Sequence, residues 1–158
     1  MNAKKLDYKD NIFYTINIII PLLIGAFIYL HFNQESYLGS FFNFLFQIPK
    51  LDININSKIL VFINNWLCDF LWAYSLFYAM YMSYRTHNNA IWTTFKITVF
   101  FAIFVESLQL IKIDFLRCGT FDILDIIIEI IAICISIINL KIYLHLKKGE
   151  EIYHVNKQ

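Results

Sequence analysis

The stretch FDILDIIIEIIAICISIINLKIYL, residues 121–144, is long enough as a helix to cross the roughly 30 Å of hydrocarbon in a bilayer. Its acids gather at one end, where Asp122, Asp125 and Glu129 follow the i, i+3, i+7 spacing of a single helix face. Lipid offers no hydrogen-bond partner to an open strand or an irregular backbone, and the alternation of a barrel strand is absent, so a spanning helix is the economical reading.

The rest of the chain extends that reading. Of its 158 residues 59% are hydrophobic, 18% aromatic and only 16% charged, too greasy a composition for an ordinary soluble domain. We expect one all-α domain, a polytopic integral membrane protein with four transmembrane helices. A short polar leader, residues 1–11, precedes the first span at about 12–32. That run exceeds a signal-peptide core, and no small-x-small cleavage site follows it, so it reads as a retained helix that carries Pro21. Counting back from Arg85 places the second span at about 65–84. A polar turn through Thr86, His87, Asn88 and Asn89 leads to a third at about 91–111, with Lys96 able to snorkel near its start. The fourth, about 121–144, is closed by Lys147 and Lys148, and 145–158 reads as a polar tail. Between the first and second spans, the aromatic segment at about 37–50 is too short to cross and ends at Pro49-Lys50. It reads as interfacial or re-entrant, or as a loop packed over the helix ends.

Several function classes drop out. The net charge of +1 comes with no basic patch or aromatic-basic interleaving, so nucleic acid is not an expected partner. Cys68, Cys118 and Cys134 lack metal-ligand spacing, and Cys134 in an apolar run reads as a small hydrophobe, so neither metal nor cofactor is expected. His31, His87, His145 and His154 fall away from the acids, which leaves no recognisable nucleophile–base pair and points away from an enzyme. The abundant Ile, Asn, Lys and Phe reflect in part an A+T-rich coding bias, so individual asparagines carry no assigned role.

Orientation follows from basic residues near the span ends: Lys4, Lys5, Lys9, Arg85, Lys147 and Lys148 on one side outnumber Lys50, Lys58, Lys112 and Arg117 on the other. Both termini are therefore expected in the cytoplasm of a multi-pass cell-membrane protein. The second span then begins, the third ends and the fourth begins at the outer face. Asp69, Glu106, Gln109, Asp122, Asp125 and Glu129 all fall within roughly 12 Å of that boundary at 1.5 Å per residue. Carboxylates at such depth are costly unless paired, hydrated, protonated or bound to a cation. Arg117 is the natural bidentate partner for Asp122 or Glu106. Thr120 is placed to cap the fourth helix, with Asp122 in its first turn. The candidate binding residues are Asp69, Trp72, Glu106, Gln109, Arg117, Asp122 and Asp125, with Trp66, Trp72 and Tyr74 at the mouth of an outward-facing polar cavity.

The ordered set Glu106-x-x-Gln109, Arg117, then Gly119-Thr120-Phe121-Asp122-x-x-Asp125 resembles the signature of VanZ-like integral membrane proteins. Asp69 with Trp72-Ala73-Tyr74 is similar to the upstream Asp and aromatic positions of such chains. The likeness covers about residues 66–135. Where the family pattern offers an Asn and then a Gly in the fourth helix, this chain has Glu129 and then Ala132. The resemblance implies an envelope role, linked in the family's named member to resistance to the glycopeptide teicoplanin, with a polar or lipid-linked cell-envelope ligand at the outer face. Membrane lipid and a membrane-protein partner are the other expected contacts. Two further readings fit the same residues: an accessory subunit in which the acids only lock helices together, and a small proton- or cation-coupled carrier working through Glu106 or Asp125.

Overall fold

A computed structural model describes residues 8–32, 44–45, 66–110 and 122–155. The described chain is all-helical, with α1 at Tyr8–Phe32, α2 at Cys68–Tyr84, α3 at Ala90–Leu110 and α4 at Ile123–Val155. Three stretches are long and apolar enough to cross a membrane, Tyr8–Ile28, Ala90–Leu108 and Ile123–Gly149. The aromatic segment at 37–50, apart from the exposed Phe44 and Leu45, lies outside the described residues, as do Arg117 and Thr120.

Two boundaries differ from expectation. Helix α1 begins within the expected leader and passes through Pro21 unbroken. Helix α4 runs on to Val155, so most of the expected polar tail is helical. The apolar run that opens α4 is long enough to span by itself. Lys147 then gives its extension a tertiary anchor: its ammonium contacts both carboxylate oxygens of Asp10 on α1 at 2.8 Å. Tyr143 Oη donates to Asp10 Oδ1 at the same distance, and its ring stacks on Phe13 with centroids 3.8 Å apart.

Helix α2 is the hub, packing against α1, α3 and α4, while α3 and α4 also pack together. Its buried residues, Ala73, Ser75, Phe77, Tyr78 and Tyr81, lie on more than one face, which is why its apolar residues form no single stripe. The turn at residues 85–89 returns the chain antiparallel, as short helix–helix connections do. Within it the His87 N–H reaches the Tyr84 carbonyl at 2.9 Å, and Asn89 adopts a left-handed φ of 64°, which asparagine tolerates better than most residues.

The outside of this bundle is apolar. Leu23 is 64% exposed, Phe100 64% and Ile138 59%, and each has exposed apolar neighbours along its own helix. Surfaces of this extent are not tolerated by monomers in water; facing lipid tails they cost nothing.

Two asparagines prove to be structural devices, which composition had hidden. Asn17 on α1 accepts from Tyr74 Oη on α2 at 2.5 Å and from Asn139 Nδ2 on α4 at 3.1 Å, and Asn139 Nδ2 also donates to Tyr74 Oη at 2.7 Å. Tyr74 therefore belongs to a three-helix polar junction rather than to the mouth of an acidic cavity. Interhelical hydrogen bonds in membranes are worth about 0.6–2 kcal/mol each. Asn139→Leu should thus lower thermal stability in detergent by about 1–2 kcal/mol, and Asn17→Leu made on that background should cost less than it does alone. Full additivity of the two would mean that the junction does not act as a unit.

Candidate functional site

The buried faces of α3 and α4 have a common design. On α3 the buried residues Thr94, Thr98, Ala102 and Glu106 recur every fourth position, a stripe of small or polar side chains that ends in a carboxylate. Thr98 Oγ1 satisfies itself on the Thr94 carbonyl at 2.8 Å. On α4 the buried stripe reads Glu129, Ala132, Ile133, Ser136 and Leu140. Because the helices are antiparallel, Glu106 near the end of one stripe and Glu129 at the start of the other meet at the same end of the bundle. Glu106 is 3% exposed and Glu129 2%.

Two more acids complete the cluster. Among the described residues the charged groups acting on Glu129 are Glu106, Asp69 and Asp125, and Asp69 in turn feels Asp125 and Glu106. Asp69 and Asp125 each lie in the first turn of a helix, where the positive end of the helix dipole favours a carboxylate. Glu106, near the C-terminus of α3, has the opposite dipole environment, so its position is not explained by helix stability. Glu129 Oε2 is buried with no hydrogen-bond partner among the described residues. An unsatisfied buried oxygen of this kind costs on the order of 1–3 kcal/mol, and more when charged.

The sequence-predicted residues separate into groups. Asp69, Glu106 and Asp125 come together as expected. Asp122 has a structural duty: its Oδ1 accepts the Leu124 N–H at 2.9 Å and its carbonyl accepts from Asp125, so Asp122 caps α4, while Thr120, the expected cap, lies outside the described residues. Trp72 is partly buried against the hydrophobic core. Gln109 lies in the last turn of α3, and Arg117 is outside the described residues. Glu129 is the residue that sequence reasoning left out of the site. Its signal was present in the i, i+3, i+4 recurrence of Glu129, Ala132, Ile133, Ser136 and Leu140, whose first member is the only ionisable one.

Chemically the cluster is a concentration of negative charge and hydrogen-bond acceptors, backed by two helix N-termini. Such a site suits an ammonium or guanidinium group, which supplies several donors and one positive charge. Among the described residues no three His, Cys, Asp or Glu side chains are placed to share a metal ion. No family model, curated protein or solved structure matches the chain.

Proposed function

We propose that the chain is a VanZ-like membrane protein of four spans, α2 crossing beside the three long apolar helices, whose cluster of Asp69, Glu106, Asp125 and Glu129 recognises the amine of a polar or lipid-linked cell-envelope ligand. The observation that carries the reading is the fully buried Glu129, with one oxygen unsatisfied among the described residues and three further carboxylates around it. A cation entering the cluster would offset the cost of burying these carboxylates together. The resemblance of residues 66–135 to the VanZ-like signature supplies the envelope setting, including Gln109 and Arg117 at the same end of the sequence hairpin. The aromatic segment at 37–50 rests in the interface, and both termini face the cytoplasm.

Teicoplanin tolerance of cells expressing the protein, measured together with membrane abundance, tests this. Glu106→Gln combined with Asp125→Asn should leave abundance within about twofold and remove the tolerance. Tolerance that falls only in step with abundance would favour the accessory-subunit reading, in which the acids merely fasten helices. The buried glutamates also favour a second reading as a proton- or cation-coupled carrier; proteoliposomes showing no ion-coupled flux under an imposed gradient would sink that one.

A further inference from the structure

The end of the bundle opposite the acids holds a cavity of about 440 Å³, lined by Tyr81 from α2, Asn89 and Ala90 from the turn and the start of α3, Trp92, and Ile137 and Lys141 from α4. Its volume falls in the range that accommodates a small-molecule group. Three features set its chemistry. Lys141 is exposed and has no carboxylate within ion-pair distance among the described residues, whereas Lys147, further along α4, is already neutralised by Asp10. Trp92 is 65% exposed, an amphipathic ring of the kind that settles at headgroup level. Ile137 gives the cavity an apolar wall on the same helix as Lys141.

Depth decides the occupant. Ala90 opens the spanning stretch of α3, so the cavity lies at a membrane boundary. Counting from Ile123 at 1.5 Å per residue, Lys141 lies roughly 27 Å along α4, close to the far edge of a hydrocarbon core of about 30 Å. A cation at that depth, beside an interfacial tryptophan and above an apolar wall that continues toward the membrane interior, complements a molecule with an anionic head and a hydrocarbon tail. Basic pockets between helices on such faces recognise anionic headgroups, each Lys or Arg near the surface adding about 1 kcal/mol. Snorkelling alone explains why Lys141 reaches the boundary; it does not explain a cavity built from three elements around it.

We propose that this cavity binds the phosphate headgroup of an anionic phospholipid, with Lys141 as its counter-charge, Asn89 as a hydrogen-bonding neighbour and Trp92 and Ile137 against the proximal acyl chain. The inference rests on the membrane placement of the helices and is independent of the acidic cluster. The lipid acts here as a bound ligand that ties the α2–α3 turn to α4.

Detergent-purified full-length protein is titrated with short-chain phosphatidylglycerol, with phosphatidylcholine of the same chain length and with inorganic phosphate, following the thermal midpoint. Wild type should be stabilised by phosphatidylglycerol at lower concentration than by phosphatidylcholine, and inorganic phosphate should have no effect. Lys141→Gln should raise the half-saturating phosphatidylglycerol concentration about fivefold, the equivalent of one charge contact, while Lys141→Arg retains wild-type behaviour and controls for folding. Equal stabilisation by the two lipids would overturn the proposal, as would unchanged selectivity in Lys141→Gln. Stabilisation by inorganic phosphate alone would show a free-anion site and overturn it too.

Discussion

Glu129→Leu should melt at a higher temperature than the wild type in detergent and should confer no teicoplanin tolerance. Glu129 is 2% exposed, and among the described residues its Oε2 has no hydrogen-bond partner and the charged groups acting on it are acidic. Replacing buried ionic groups by apolar residues of similar volume stabilises proteins by about 1–4 kcal/mol in the best-studied cases. For a chain of this size each kcal/mol shifts the midpoint by roughly 2–4 °C. Glu129→Gln separates the two consequences, because it keeps the shape and removes the charge. It should lose the tolerance with a smaller gain in stability. A gain in stability with loss of function is what a binding residue held at a structural cost produces. If Glu129→Leu instead melts several degrees lower, the carboxylate is holding the helices together and the accessory-subunit reading prevails.

How much of this could be read in the sequence depends on the range of the interaction that decides each feature. Membrane spanning is set by composition and run length, so the all-helical architecture and the approximate positions of α1, α3 and α4 were legible. The meeting of Asp69, Glu106 and Asp125 followed from antiparallel topology, since helix length alone brings three ends to one plane. Features fixed by particular side chains across helices were not legible. Nothing local distinguishes Asn17 and Asn139 from the chain's other asparagines; only their shared contact with Tyr74 does. The extension of α4 beyond residue 144 carries Lys147 onto Asp10, a partner more than a hundred positions away in the chain. The cap that Asp122 supplies depends on α4 starting at Ile123, a boundary that the sequence leaves open by a residue or two. Glu129 shares the face of Asp122 and Asp125 in the sequence, yet it stood outside the expected binding set for a different reason. It departs from the Asn-then-Gly pattern of the VanZ-like signature, while its own periodicity with Ala132, Ile133 and Ser136 puts it on the buried face.

The second member of that departure, Ala132, sets up the other large effect: Ala132→Leu should destabilise the protein by about 1–3 kcal/mol, the usual cost of forcing extra methylenes into a filled interior. Ala132 is fully buried, one turn before Ser136. Around Ser136 the helices α2 and α4 are close enough for side chains to reach the opposite backbone. Tyr78 Oη donates to the Ser136 carbonyl at 3.2 Å, and Ser136 Oγ approaches the Tyr74 carbonyl at 3.4 Å. Ser136 Oγ also donates to the Ala132 carbonyl at 2.9 Å. Small residues permit such an approach in a membrane, and a leucine would wedge it open. The wedge acts three residues from Glu129, so it should also part the carboxylates and abolish tolerance in whatever protein survives. Ala132→Gly removes a methyl group without widening the contact; it should fold with a penalty of about 1 kcal/mol from helix propensity and keep the tolerance. A fully stable, fully active Ala132→Leu protein would refute the close α2–α4 contact and, with it, the claim that helix packing at Ala132 sets the geometry of the acidic cluster.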